Sequence, residues 1–166
     1  MGSLISFPIL GLATMLQVAI FSNIHILYGT TDLVLLSIIA WTLQEKTHNG
    51  LLWAVMGGCL VSWISSVPLW PYLTGYVLVA LFVQFIKRRI WQIPILAMYF
   101  STAVGAIFAQ LVSLGILIFA GAQLEWIESI NLVILPSVLL NLILALPVYL
   151  ILTDIARWVY PAETET

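Results

Sequence analysis

Five stretches without a charged residue dominate the sequence and restrict the folds that are open to it. They cover residues 1–31, 33–44, 47–86, 90–124 and 129–153. A helix needs about 20 apolar residues to cross the hydrocarbon core of a bilayer, so the longer stretches can span it and the third can span it twice. Charged residues make up only 7% of the chain, whereas soluble domains carry about 25%. The sequence therefore predicts an all-α, polytopic integral membrane protein that forms one transmembrane domain over residues 1–166.

Turn-forming residues divide these stretches into a bundle of six predicted transmembrane helices. Their expected bounds are about 4–22, 30–43, 51–66, 72–86, 92–120 and 131–157. The second helix is short for a bilayer, so we expect it to be partly buried among its neighbours.

Six crossings place both termini on one side of the membrane, and all basic residues fall on that side. They are Lys46, Lys87, Arg88, Arg89 and Arg157. Because loops rich in Lys and Arg face the cytoplasm, we expect both termini to be cytoplasmic. The cluster of Lys87, Arg88 and Arg89 either sets this topology or contacts anionic lipid or a cytoplasmic partner. Trp41, Trp70, Trp91, Trp126 and Trp158 lie near predicted helix ends and are expected at the headgroup region.

The ionisable residues give no pattern of a catalytic or metal site. The topology separates Asp32 from Asp154 and His25 from His48, and it leaves no charged group near the middle of the membrane. Asp32 opens the second helix, where it is either an N-cap or a partner contact. We therefore expect no enzymatic activity, no cofactor, no metal and no nucleic-acid partner.

Small residues recur at every fourth position in two helices. Such stripes let helix backbones approach closely, which drives association in lipid. They serve either packing inside the bundle or contact with an outside helix. The first stripe is Ala54, Gly58, Ser62 and Ser66, and the second is Ser101, Gly105, Ala109 and Ser113.

Three amides interrupt otherwise apolar helices, at Gln17, Gln110 and Asn141. Each must find a hydrogen-bond partner, so we expect them to join neighbouring helices. Pro147 lies inside the sixth helix and removes one backbone hydrogen bond. Asn141 and Pro147 together indicate a helix shaped for protein contact, within the bundle or with another subunit.

The order of motifs along the whole chain resembles the MreD family of small bacterial inner-membrane proteins that determine rod shape. The matching pieces are Asp32-Leu33, Asn49-Gly50-Leu51-Leu52 before Gly57-Gly58, Pro68-Leu69, the basic cluster after the fourth helix, and Leu140-Asn141-Leu142 before Leu146-Pro147-Val148-Tyr149. The chain departs from the family where Thr31 replaces a proline, where Ser62 stands at about the place of an acidic residue, and where Trp70 replaces a glycine.

The resemblance implies a non-enzymatic scaffold in the bacterial inner membrane that binds the bitopic protein MreC. Through MreC it would join the elongation machinery for peptidoglycan, with RodA, a penicillin-binding transpeptidase and MreB. It also implies a fold like the S components of energy-coupling-factor transporters. The alternative function is therefore a vitamin-binding transporter subunit, although residues 11–19 lack the Ala-x-x-x-Ala pair of S components and the outer loops are poor in polar groups.

Overall fold

The computed structural model of the protein describes residues 2–19, 30–45, 47, 49–65, 69–88, 93–121, 127 and 130–160. These residues form an all-α structure, as the sequence predicts. Its six main helices are α1 (Gly2–Ala19), α2 (Leu33–Leu43), α3 (Gly50–Ile64), α4 (Leu69–Lys87), α5 (Pro94–Phe119) and α6 (Leu135–Val159). A π-helical turn, Ile130–Ile134, leads directly into α6. The bounds lie within three residues of those predicted, except that α6 begins four residues later than residue 131, after the π-helical turn. Residues 20–22 of the first predicted helix lie outside the described part.

Three of the helical segments are long and apolar enough to cross a membrane: α4, α5 and the continuous segment Ile130–Val159. The protein is therefore a helical membrane protein, while six crossings stay a prediction. α2 has 11 residues, which extend over about 16 Å at 1.5 Å per residue, roughly half of the hydrocarbon core.

α2 is the central helix of the bundle. It packs against α1, α3, α4, α5 and α6, and ten of its eleven residues are buried. Its sequence, LVLLSIIAWTL, is apolar on every face, which is the pattern of a helix surrounded by protein or lipid. The hydroxyl of Ser37 donates to the Leu33 carbonyl at 2.8 Å, so this polar group is satisfied within the helix. The expectation that the second helix is buried among its neighbours is confirmed.

Most members of the two small-residue stripes lie between helices of the bundle. A Cβ atom added at Gly58 would lie 3.0 Å from the Leu73 Cα of α4, and one added at Gly105 would lie 2.9 Å from a Val79 methyl group. The stripes therefore serve internal packing, the first of the two uses that their spacing allows. The other buried members are Ala54, Ser101 and Ala109, Ser62 and Ser113 are half-buried, and Ser66 lies outside the described residues.

Trp41 differs from its expected position at the membrane surface. Its side chain is fully buried and stacks on Trp53 of α3, with the ring centroids 4.3 Å apart and the planes 12° from parallel. The reason is that α2 ends inside the bundle, so its last turn meets α3 instead of lipid headgroups. Trp70 and Trp158 are exposed near helix ends, as expected, whereas Trp91 and Trp126 lie outside the described residues.

Candidate functional site: a polar cavity at the start of the central helix

Asp32 lies directly before α2 and both of its carboxylate oxygens accept hydrogen bonds. Oδ1 accepts from the backbone N–H of Leu35 at 2.9 Å, so Asp32 is the N-cap of α2. N-capping satisfies one of the backbone donors that every helix start leaves open. Oδ2 accepts from the hydroxyl of Tyr76, in α4, at 2.6 Å. The capping role predicted for Asp32 is thus confirmed, and its bond to α4 is an addition.

Side chains from α1 and α6 complete the hydrogen bonds at the start of α2. The N–H of Asp32 donates to Asn141 Oδ1 at 2.9 Å, and the N–H of Thr30 donates to Ser137 Oγ at 2.9 Å. A longer bond of 3.4 Å joins the N–H of Val34 to Gln17 Oε1. The amides predicted to join helices therefore do so at two positions, and both accept from backbone donors. We call Gln17, Asp32, Tyr76, Ser137 and Asn141 the Asp32 cluster.

The Asp32 cluster lies well inside the bundle. Tyr76 is seven residues beyond Leu69, the first residue of α4, which corresponds to about 10 Å along a helix that is long enough to span the membrane. The predicted position of Asp32 on the outer side of the membrane stays a prediction, as does the absence of a charged group near the middle of the membrane. The structure shows that Asp32 lies beside Tyr76, so α2 begins about two turns beyond the start of α4.

A cavity of about 170 Å³ adjoins Asp32. All of the described helices except α3 contribute to its wall. The polar lining consists of Gln17, Thr30, Thr31, Asp32, Tyr72, Tyr76, Gln110, Ser113 and Asn141, and the remainder is Leu35, Pro71, Gly75, Ala106, Ala109 and Leu117.

Two buried polar groups in this wall have no hydrogen-bond partner among the described residues. They are Asn141 Nδ2 and Thr31 Oγ1, and both residues are almost completely inaccessible to solvent. A buried donor without a partner costs about 1–3 kcal/mol, so most proteins satisfy such groups. Asn141 and Thr31 both line the cavity beside Asp32, but these two atoms have almost no accessible surface of their own.

A second polar cluster fixes the other end of α2. Lys87 Nζ donates to the carbonyl groups of Gln44 and Thr47, the latter at 3.0 Å. Gln44 Nε2 donates to Thr153 Oγ1 of α6 at 2.8 Å. A cation at carbonyl groups beyond a helix C-terminus also interacts favourably with the helix dipole. We call Gln44, Thr47, Lys87 and Thr153 the Gln44 cluster.

The structure adds a role for one member of the predicted basic cluster. Lys87 holds α4 to the end of α2, a structural role that its charge pattern does not indicate. Arg88 is exposed and remains a candidate for setting topology or contacting lipid. Arg89 lies outside the described residues.

The structure places the remaining predicted residues that it describes apart from one another, with the exception of one ion pair. Asp154 pairs with Arg157 at 4.0 Å on an exposed surface. It lies 13 residues beyond Asn141 in α6, about 20 Å away, so the two aspartates stay apart. No group of three metal-binding side chains occurs in the described part of the chain, and His25 and His48 lie outside it. Pro147 is exposed within α6.

Sequence reasoning missed Tyr76 and Ser137. Ser137 precedes Asn141 by one helical turn, so their shared face could have indicated it. Tyr76 is 44 positions from Asp32 and carries no sequence signal of that contact.

The fold and this site define a helical membrane protein with a polar cavity inside its bundle. Comparisons with protein-family models, with curated proteins and with solved structures find no match to the chain.

Proposed function

We propose that the protein is a non-enzymatic scaffold of the bacterial inner membrane that binds MreC. It would thereby support peptidoglycan synthesis and rod shape together with RodA, a penicillin-binding transpeptidase and MreB. The basis is the resemblance to the MreD family, together with the positions of the residues that carry it.

The observation that carries this proposal is that four of those residues, Asp32, Gly50, Gly57 and Asn141, lie against α2 or at its start. Asp32 and Asn141 are joined by a hydrogen bond. A Cβ atom at Gly57 would lie 2.8 Å from a Val34 methyl group, and one at Gly50 would lie 2.4 Å from the Thr42 hydroxyl oxygen. Residues that are widely spaced in the sequence thus hold one central helix, as expected if they belong to one inherited pattern.

The burial of the small-residue stripes changes where a partner helix can bind. Gly58 and Gly105 lie within the bundle, so they are not available to MreC. Gly11 of α1 and Gly115 of α5 remain open, because a Cβ atom at either position would meet nothing within 4 Å among the described residues. A glycine on an open helix face permits close approach of a second backbone. We therefore place the MreC contact at one of these two faces.

Co-purification with MreC tests the proposal. The wild-type protein in detergent should form a stoichiometric complex with MreC. Gly11→Leu or Gly115→Leu should weaken the complex at least about tenfold without lowering the yield of folded protein, because each position has space for a side chain. Gly58→Leu is the contrasting variant, since it should disturb the bundle itself. A folded wild-type protein with no affinity for MreC would contradict the scaffold proposal.

The cavity favours a second candidate, a substrate-binding subunit of a transporter. The outer loops are poor in polar groups, but six of the nine polar lining residues come from the helices, and Thr30, Thr31 and Asp32 come from the segment before α2. The missing Ala-x-x-x-Ala pair in residues 11–19 still speaks against this candidate. This candidate predicts a small vitamin-like molecule that stays bound during purification, and co-purification with ATPase subunits. Neither result is expected for a scaffold alone.

A further inference from the structure

The charge of the cavity beside Asp32 is unbalanced within the described structure. Asp32 is the one lining residue of a type that is charged at neutral pH. The ion pair found in the described part of the chain is Asp154 with Arg157, on an exposed face. Lys87 is 11 residues beyond Tyr76 in α4, about 16 Å further along the helix. A buried carboxylate is stabilised by an opposite charge, and the nearest described basic residues lie too far away to supply it.

The aromatic side chains of the cavity further restrict what can balance this charge. The Tyr72 ring meets that of Tyr76 edge to face, with centroids 6.0 Å apart, and aromatic faces attract organic cations.

The size of the cavity restricts the ligand to a small molecule. An apolar cavity of about 150 Å³ holds one benzene molecule, and this cavity has about 170 Å³. Its walls come from α1, α2, α4, α5 and α6, so it lies inside the bundle, where a transmembrane helix of a partner has no room. A divalent metal ion fits poorly, because the lining offers one carboxylate and no histidine or cysteine.

We propose that this cavity is a binding site for a small organic ammonium ion of up to about eight non-hydrogen atoms. The ammonium group binds the Asp32 carboxylate. The proposed site depends only on the cavity, so it does not require that the protein binds MreC.

Matched pairs of amines and alcohols test the charge requirement on the purified, full-length protein. The probes are ethanolamine with ethylene glycol, glycinamide with glycolamide, and benzylamine with benzyl alcohol, each followed by saturation-transfer NMR and by the thermal unfolding midpoint. At least one amine should bind saturably and at least about tenfold more tightly than its alcohol, since hydrogen bonds to charged groups are the stronger ones. The proposal is wrong if no amine binds or if amine and alcohol bind equally.

Two variants place the binding in this cavity. Asp32→Asn keeps an N-cap side chain and removes the charge, so it should abolish the preference for the amine. Asp154→Asn is the matched control on the exposed surface and should leave the preference unchanged. Ser113→Leu fills the cavity without altering Asp32 and should weaken amine binding at least about tenfold. The proposal would be overturned if Asp32→Asn keeps the preference for the amine, if Ser113→Leu keeps wild-type amine binding, or if Asp154→Asn loses the preference.

Discussion

At the scale of single residues, Asp32 connects three parts of the bundle. Its side chain caps α2 and accepts from Tyr76 of α4, while its backbone N–H donates to Asn141 of α6. Each of these bonds is partly buried, and an unmade hydrogen bond is more costly there than in water. Removal of one partner should therefore lower the free energy of unfolding measurably.

Tyr76→Phe removes only the hydroxyl group that donates to Asp32. We expect the free energy of unfolding to fall by about 1–2 kcal/mol, because the acceptor is a carboxylate. Equilibrium unfolding in mixed detergent micelles measures this change. Tyr72→Phe is the control: its hydroxyl lies 3.5 Å from Ser65 Oγ, at the limit of hydrogen bonding, so the loss should be smaller. An equal effect of both substitutions would show that the bond to Asp32 contributes nothing specific.

Asn141→Leu removes the acceptor for the backbone N–H of Asp32. The same change removes the Nδ2 donor that has no partner among the described residues, so part of the cost is offset. The net decrease in the free energy of unfolding should be about 1 kcal/mol. Ser62→Ala serves as the control, because the Ser62 hydroxyl bonds to the Gly58 carbonyl of its own helix. If Asn141→Leu is as stable as the wild type, the amide does not hold α6 to α2.

At the scale of elements, the organisation of the bundle follows from α2. Length and apolarity predicted its burial, and the spacing of small residues predicted close helix packing. Sequence could not show which helix each stripe contacts, because helical spacing fixes a face and not its neighbour. It also could not show that α2 begins and ends inside the bundle. That geometry explains why Trp41 stacks on Trp53 and why Asp32 lies beside Tyr76, seven residues beyond the start of α4.

Gly58→Ala tests the close approach of α3 and α4. The added Cβ would lie 3.0 Å from the Leu73 backbone, so one helix must shift, at a cost of about 1–3 kcal/mol. Gly115→Ala is the matched control in α5, where nothing in the described structure lies within 4 Å. There alanine should be neutral or stabilise the helix by up to about 1 kcal/mol. Unfolding in mixed micelles distinguishes the two, and equal stabilities would argue against close packing at Gly58.

At the scale of the whole molecule, the two polar clusters lie at opposite ends of α2 and hold it to the long helices. The Asp32 cluster joins the start of α2 to the first halves of α4 and α6. The Gln44 cluster joins the end of α2 to the last halves of the same two helices. α4 and α6 therefore run in parallel with α2. If α4 crosses the membrane from the outer to the cytoplasmic side, α2 and α6 have the same direction.

This arrangement, with six crossings and cytoplasmic termini, is tested most directly by cysteine labelling in intact cells. Single cysteines would replace exposed residues near helix ends in a Cys59→Ser background, since Cys59 is itself exposed. The positions are Thr30, Glu45, Arg88, Ala120 and Arg157. A membrane-impermeant maleimide should label Thr30→Cys and Ala120→Cys from outside the cell, and the other three only after the membrane is opened. The six-crossing arrangement would be contradicted if Glu45→Cys were labelled from the same side as Thr30→Cys. It would also be contradicted if Arg88→Cys were labelled from the same side as Ala120→Cys.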